Sequence, residues 1–201
     1  MTDARPPISS LPPSYFETKY RADIDPWRFR TSPYERVKYK ATTDGLSRPR
    51  YRRILEVGCA IGVLSALLSQ RCDELVAVDG SETAIAEAAR QKLPNVRFEV
   101  ACLPDQFPVG SFDLIVLSEV LYYFDPADLR RLAEKCLSAL DGGGEMILCH
   151  WLGETDYPLT GRQANDMFAE AIAKRRPTRV ELHEDIYLLE RFCFEIGDDE
   201  G

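Results

Sequence analysis

From Arg52 onward, apolar runs of strand length alternate with segments that have a helical period. The runs are RRILEVGC, ELVAVDG, VRFEVA, FDLIVLSEV and EMILCHW, and the helical segments include GVLSALLSQRC, SETAIAEAARQKL and PADLRRLAEKCLSAL. Continuous apolar strands separated by crossover helices are typical of a parallel sheet covered on both faces. The alternation predicts an α/β fold with a doubly wound, mostly parallel sheet of about seven strands.

Local signals predict where several of these elements begin and end. Ser81 precedes one helix as an N-cap, and Pro126 stands in the first turn of another helix that is followed by glycines. After the fifth strand, TGRQANDMFAEAIAKRR is predicted to be helical. TRVELHE and YLLERFCFE alternate like strands at the edge of a sheet.

The chain of 201 residues is long enough for one domain with a well-formed core. Residues 1–13 are polar and rich in proline, and we expect them to be flexible. Residues 14–50 are rich in Tyr, Trp, Phe and Arg, which predicts one or two helices that cover a cleft as a lid; we call this segment the cap. The core of the domain is expected over residues 51–201.

Composition excludes several classes of function. Acidic residues outnumber basic residues 33 to 25, a formal net charge of −8, which disfavours DNA and RNA as partners. No stretch approaches the roughly 20 apolar residues of a membrane helix, and the start lacks the apolar core of a signal peptide. We therefore expect a cytoplasmic protein without a membrane span. The six cysteines are dispersed, so no metal site is predicted.

The stretch ILEVGCAIG joins the first strand to the first helix of the core and predicts a nucleotide site. Free N–H groups at such a turn bind the polar part of a nucleotide, beyond the carboxyl ends of the strands. A dinucleotide fingerprint would need glycines at two positions that hold Ala60 and Val63.

An acid-x-G-x-G-x-G loop fits better, with Glu56 as the acid and Ala60 in place of the middle glycine. The Glu56 carboxylate would repel a diphosphate but would tolerate a cofactor with an ammonium and a sulfonium group, such as S-adenosylmethionine (SAM). Asp79 ends the second strand, where a carboxylate can accept hydrogen bonds from both ribose hydroxyls. NAD would use the same acid, so Asp79 alone does not discriminate between the two cofactors.

The loop from Glu56 to Gly62, Asp79, GSFDLIVLSEVLYY and LDGGGEMIL are similar, in this order, to the motifs of class I SAM-dependent methyltransferases. More narrowly, DPWRFRTSPYERVKY, FDLIVLSEVLYYF and HWLGETDYPLTG resemble the nodulation protein NodS family. Its members are N-methyltransferases that act on the deacetylated, non-reducing glucosamine of chitooligosaccharides in Nod factor synthesis. The resemblance implies a Rossmann-like fold, SAM as the cofactor and S-adenosylhomocysteine (SAH) as its product.

The cofactor site is expected to combine the loop after the first strand, the ends of later strands and the cap. Its predicted members are Glu56, Gly58, Cys59, Ala60, Gly62, Asp79, Gly80, Ser81, Cys102, Leu103, Ser118, Trp27 and Arg28. Ala101 stands where the superfamily often has an acid near the adenine. Adenine recognition would then rest on backbone N–H groups and on apolar contact from Cys102 and Leu103.

An amine acceptor must be unprotonated when it attacks, so a group near the fourth or fifth strand should take or relay a proton. The candidates for catalysis are Glu119, Tyr122 and His150. Sugars are gripped by aromatic faces together with carboxylates that bond to hydroxyls. The predicted acceptor site is Trp151, Tyr123, Tyr157, Asp156 and Tyr34.

Other functions stay open at this point. The acceptor could be another small amine or a hydroxyl, and a non-catalytic SAM-binding protein would carry the same loop. An NAD-dependent oxidoreductase is disfavoured by Glu56 and Val63. A DNA base is disfavoured because SEVLYY lacks the proline pair of amino-group DNA methylases. The sequence gives no prediction of the oligomeric state.

Overall fold

A computed structural model describes residues 9–195. The helices in chain order are α1 (Pro13–Ala22), α2 (Pro33–Asp44), α3 (Val63–Leu68), α4 (Glu82–Ala89), α5 (Pro126–Ala139) and α6 (Gly161–Ile172). The strands are β1 (Tyr51–Val57), β2 (Cys72–Asp79), β3 (Val96–Val100), β4 (Phe112–Ser118), β5 (Leu140–Trp151), β6 (Thr178–Glu184) and β7 (Tyr187–Cys193). None of the described helices is long and apolar enough to cross a membrane.

The strands form one seven-stranded sheet in the order β3-β2-β1-β4-β5-β7-β6. The first five strands of the chain pair in parallel, and β7 and β6 close the sheet as an antiparallel pair beside β5. The order reverses between β1 and β4, so their carboxyl ends diverge into a crevice, which is where open α/β sheets bind ligands. The predicted mostly parallel, Rossmann-like fold is confirmed.

Each face of the sheet carries its own apolar core, because successive strand residues point to opposite sides. Leu55 and Val57 of β1 pack with α5 and α6 on one face, whereas Ile54 packs with α2 and α3 on the other. Burial on both faces explains why the central strands read as continuous apolar runs.

Two boundaries differ from the sequence prediction. The glycines expected to follow α5 lie within β5, which starts at Leu140 directly after the helix. The pairing of β5 with β4 shifts its register between Phe112 and Leu114. YLLERFCFE was expected at an edge, but β7 lies between β5 and β6, so of these two strands only β6 lies at an edge of the sheet. Alternation of polar and apolar residues does not distinguish an edge strand from the strand beside it.

The cap carries two helices, α1 and α2, and both begin with proline. The flexible segment predicted over residues 1–13 falls mainly on residues 1–8, which lie outside the described residues. Its remaining part is fixed to the core: the Ser10 hydroxyl donates to Asp128 at 2.7 Å, and the Leu11 N–H donates to the Tyr123 carbonyl at 2.8 Å. These contacts attach Ser10 and Leu11 to the core, and the flexibility of residues 1–13 stays a prediction.

Candidate functional site

A cavity of about 430 Å³ lies at the carboxyl ends of β1, β2 and β4 and is covered by the cap. This volume is within the roughly 300–1,000 Å³ of small-molecule sites. The cavity contains most of the predicted site residues. Its wall includes Glu56, Gly58, Cys59, Ala60, Asp79, Gly80, Cys102, Leu103, Ser118, Glu119, Tyr122, Tyr123, Trp151, Tyr157, Trp27 and Tyr34.

The turn after β1 and the end of β2 are held together by Asp79. One carboxylate oxygen of Asp79 accepts from the Ala60 N–H at 3.0 Å, and the other accepts from the Ser81 N–H at 2.9 Å. A carboxylate has about four lone-pair positions, so two remain for ribose hydroxyls. The loop itself has left-handed backbone at Gly58, Ala60 and Gly62, with φ of 75°, 50° and 77°.

Two residues after β3 lie where the adenine of the cofactor was expected. Cys102 and Leu103 both line the cavity, which suits apolar contact with the ring. The Cys102 N–H, however, donates to the Gln106 side chain at 2.8 Å. This N–H is therefore engaged within the protein and is not one of the free backbone N–H groups expected to bind adenine.

A buried ion-pair network forms part of the cavity wall between α2 and the end of β4. The Lys38 ammonium, whose side chain is 2% exposed, lies 2.6 Å from Glu119 and 2.9 Å from Glu35. Glu119 also accepts from the Tyr122 hydroxyl at 2.5 Å and from the Trp151 N–H at 3.1 Å. Its backbone is left-handed, with φ of 55°, so the network holds a strained residue in place.

The ionisation of this network is set by Lys38. Burial would raise the pKa of Glu119, but the attraction and hydrogen bond of Lys38 outweigh it and hold the pKa below its ordinary value. Burial and the nearby Glu119 raise the pKa of Tyr122 well above its ordinary value. Glu119 is thus a carboxylate that is charged at neutral pH and has three donors, one of which is the Tyr122 hydroxyl. Neither is arranged as a proton acceptor.

His150, the third catalytic candidate, has a structural position. Its Nε2 accepts from the Val120 N–H at 3.2 Å and from the Leu121 N–H at 3.0 Å, and the residue is completely buried outside the cavity wall. Burial lowers the pKa of His150 to about 4. The structure therefore contradicts the prediction that His150 is the base. Its ring instead holds the turn after β4, and this turn places Tyr122 in the cavity wall.

Aromatic rings form one continuous side of the cavity. Tyr157 stacks on Tyr122 with ring centres 5.3 Å apart and meets Tyr123 edge-on at 4.7 Å. Phe16 of α1 packs edge-on against Tyr123 at 4.8 Å. Trp151, 38% exposed, stands beside this group at the end of β5. The surface offers flat apolar faces beside the buried carboxylates.

Four other predicted residues lie outside the cavity wall. Arg28 and Asp156 are exposed. Gly62 caps α3, where a Cβ would meet the Gln91 side chain at 2.6 Å. Ser81 caps α4, and its buried hydroxyl donates to Glu17. Gly62 and Ser81 support the loops that line the cavity, whereas Arg28 and Asp156 are not part of its wall.

Sequence reasoning missed the charged members of α2 and one acid of α1. Glu35 and Lys38 are three residues apart on a helix, a spacing that usually indicates a solvent-exposed ion pair. Glu17 accepts from the Ser81 and Thr83 hydroxyls, each at 2.7 Å, and ties α1 to the start of α4. No sequence signal predicted that α2 would face the cavity with its charged side.

Comparisons with known proteins decide the family. Residues 54–144 match the family model described as a methyltransferase domain. A crystal structure of a methyltransferase from Pseudomonas syringae is 41% identical, with a TM-score of 0.70, and the match covers 80% of this chain and 98% of that one. The chain belongs to the SAM-dependent methyltransferases.

Within this family the chain is similar to NodS proteins. It is 32% identical over 127 residues to nodulation protein S from Rhizobium tropici, covering 61% of this chain and 53% of that protein. The chain thus spans about half the length of this relative. The crystal structure of the N-methyltransferase NodS from Bradyrhizobium japonicum with SAH has a TM-score of 0.75 at 22% identity, covers 90% of this chain and 97% of that one, and shows the shared fold.

The residues of the cavity fit SAM, the methyltransferase cofactor. Asp79 keeps lone pairs for two ribose hydroxyls, and Cys102 and Leu103 supply an apolar surface at the neighbouring strand end. Glu56 lies beneath the loop and accepts from the Ser65 hydroxyl at 2.5 Å. When bound, SAM supplies a methyl group on a positively charged sulfur, which is a good leaving group.

Proposed function

We propose that this protein is a SAM-dependent N-methyltransferase that acts in the cytoplasm on the free amine of a deacetylated, non-reducing glucosamine in a chitooligosaccharide. The relatives named nodulation protein S support this acceptor. The single observation that carries it is the composition of the cavity wall: acids and aromatic rings meet there, with one basic side chain among the described residues.

The charge of the cavity favours an amine over an anionic acceptor. Lys38 is the sole basic side chain among the described residues of the wall. Five carboxylates line the same cavity, namely Glu35, Asp79, Asp105, Glu119 and Asp128. A sixth carboxyl group, Glu56, is protonated at neutral pH because burial raises its pKa to about 8. A cationic acceptor gains from this surplus, whereas an acceptor that carries carboxylates would be repelled.

The aromatic side of the cavity favours a sugar. Tyr122, Tyr123, Tyr157 and Trp151 present flat faces against which a pyranose ring can pack. Glu119, hydrogen-bonded to Tyr122 and Trp151 within this aromatic side, supplies carboxylate oxygens next to the rings. The chain's contribution to the reaction is then to hold the amine in line with the methyl and sulfur, an orientation effect worth about 7–11 kcal/mol at best.

Labelled SAM and chitooligosaccharides, with or without removal of the terminal N-acetyl group, test this proposal. We expect methyl incorporation into the deacetylated oligosaccharide alone, at its terminal nitrogen. Incorporation into neither oligosaccharide, or into a hydroxyl of both, would contradict the proposed acceptor.

Asp79→Ala provides an internal check on the cofactor site. Loss of the ribose hydrogen bonds should weaken SAH binding by about 1–3 kcal/mol in calorimetry. Asp73→Ala is the matched control, because Asp73 lies at the start of the same strand and makes only an exposed ion pair with Arg50. Equal SAH affinities for the two variants would exclude the ribose role of Asp79.

A further inference from the structure

Most carboxyl groups around the cavity already have their hydrogen-bond partners. The Glu119 carboxylate has three donors, and Asp79 has two backbone N–H groups. Asp105 and Asp128 both pair with Arg131. An acceptor that arrives as an ammonium must lose a proton before it can be methylated. None of these four carboxyl groups is free to take that proton.

Glu56 and Glu35 remain, and their positions differ. Glu56 is bonded to Ser65, and burial raises its pKa to about 8, so it carries a proton at neutral pH. Oε1 of Glu35 accepts from Lys38 at 2.9 Å, and the Tyr39 hydroxyl lies beside the same carboxylate. Its Oε2 is buried and has no hydrogen-bond partner among the described residues.

An unpartnered carboxylate oxygen in a buried position is costly unless a ligand completes it. The Glu35 side chain is 10% exposed, and the residue lines the cavity. The Tyr34 hydroxyl, one residue away on the same helix, is also buried and has no partner within residues 9–195. Two unsatisfied polar groups on one turn of α2 therefore border the cavity beside Lys38.

The charge of the buried network points the same way. Lys38 carries one positive charge and forms ion pairs with both Glu35 and Glu119, each of which carries one negative charge. Within the part of the chain that the structure describes, one negative charge of this network is left without a counter-ion. An ammonium group that enters the cavity would balance this charge.

We propose that Glu35 binds the acceptor's ammonium group through Oε2 and takes its proton before methyl transfer. This inference rests on the proposed methylation of an amine. An N–H bond of the ammonium breaks, an O–H bond forms on Glu35, and the electron pair stays on nitrogen. That pair then forms the N–C bond to the methyl while the C–S bond breaks with its electrons on sulfur. The proton on Glu35 returns to water as product leaves.

The charged and titratable groups around Glu35 come from several elements. They are Tyr34, Lys38 and Tyr39 from its own helix, Glu119 from the end of β4 and Cys149 from β5. Glu56 of β1 lies near Tyr39. Of these, Lys38 carries the positive charge nearest to Glu35.

Glu35→Gln tests the proposal, since glutamine keeps an oxygen for Lys38 but cannot take a proton. At neutral pH we expect kcat/KM for the deacetylated chitooligosaccharide to fall by about 100-fold or more, with unchanged SAH affinity in calorimetry. The difference in kcat/KM between Glu35→Gln and the wild type should become smaller as the pH rises through the pKa of the acceptor amine, because an amine that arrives unprotonated needs no base. Glu134→Gln, an exposed acid on α5 away from the cavity, is the matched control.

The outcomes separate this proposal from the function on which it rests. If the wild type methylates the amine and Glu35→Gln matches Glu134→Gln, Glu35 is not the proton acceptor and the function stands. A defect of the same size at every pH would also overturn the proposal, because loss of structure does not depend on the state of the amine. If the wild type methylates no amine, the proposed function itself fails.

A second variant covers the case in which Glu35→Gln does not fold. Glu35→Asp keeps the charge but draws the carboxylate back by one methylene. We expect a lower kcat with the pH dependence of the wild type retained. Wild-type kcat in Glu35→Asp would contradict a direct proton transfer at this position.

Discussion

Ala60 is a residue in a backbone conformation that normally requires glycine. Its φ is 50°, and its N–H is held by Asp79 at 3.0 Å. The left-handed conformation costs an L-residue roughly 1–2 kcal/mol. The hydrogen bond explains how the loop keeps its shape without a glycine at this position, and it ties the loop to the residue expected to bind the ribose.

Ala60→Gly should therefore stabilise the protein. It removes roughly 1–2 kcal/mol of strain and adds about 0.5–1 kcal/mol of chain entropy to the unfolded state. We expect the free energy of unfolding in urea to rise by about 0.5–1 kcal/mol. The same exchange at Ala66, within α3, should lower it by about 1 kcal/mol. Destabilisation of equal size by both variants would refute strain at Ala60.

At the scale of elements, the cap is attached to the core through helix ends. Glu17 of α1 accepts from the Ser81 and Thr83 hydroxyls and from the Thr83 N–H, so a side chain of one helix satisfies the first turn of α4. Arg30 of the cap adds an ion pair to Glu87 at 2.5 Å. Since α4 starts next to Asp79, attachment of α1 also shapes the cofactor cavity.

Glu17→Gln should loosen α1. Hydrogen bonds from Ser81 and Thr83 lower the pKa of Glu17 to about 2 from an ordinary value of 4.5. The contribution of these bonds to stability is therefore complete at neutral pH and is lost as the pH falls from 4.5 toward 2. Hydrogen bonds to a charged group contribute about 1.5–3 kcal/mol. At neutral pH we expect the α1 amides of Glu17→Gln to exchange hydrogen about tenfold faster or more.

Helix α5 of the same sample serves as the internal reference for that exchange measurement, because it does not contact Glu17. Glu134→Gln should leave α1 unchanged. Wild-type exchange of α1 in Glu17→Gln would show that the apolar contacts of Phe16 and Tyr20 alone hold this helix.

At the scale of the whole molecule, buried ionisable groups couple stability to pH. Burial raises the pKa of Glu56 from 4.5 to about 8, and a hydrogen bond from Ser65 only partly opposes this. The folded protein therefore holds a proton that the unfolded chain releases between these two values. The contribution of Glu56 to stability is complete below pH 4.5 and is lost as the pH rises through 8.

Glu56→Gln should remove that dependence. Each unit of pKa shift corresponds to about 1.4 kcal/mol of stability. Between pH 5 and pH 8, which covers most of the range between the two pKa values of Glu56, the free energy of unfolding of the wild type should therefore fall by several kcal/mol relative to that of the variant. Urea unfolding of both proteins, without cofactor, measures the difference. Since His150 titrates identically in both, its opposite contribution cancels. Parallel pH profiles would show that Glu56 is ionised in the folded protein.

The sequence by itself determined the framework of this protein. Continuous apolar runs with crossover helices specify a sheet buried on both faces, and a parallel sheet brings its strand ends to one edge. The loop at Glu56 and the acid at Asp79 were therefore assigned to one site before their contacts were known. These features are local, because they depend on residues near one another in the chain.

Only the tertiary structure decided which side chains from different elements meet. Lys38 and Glu119 are far apart in sequence, and their contact depends on how α2 packs over the end of β4. The same packing placed Glu35 at the cavity and left Arg28 exposed, and the turn after β4 enclosed His150. Periodicity reports the buried side of each helix, but the element that it faces is fixed by the assembly of the whole chain, since that contact is made between distant residues.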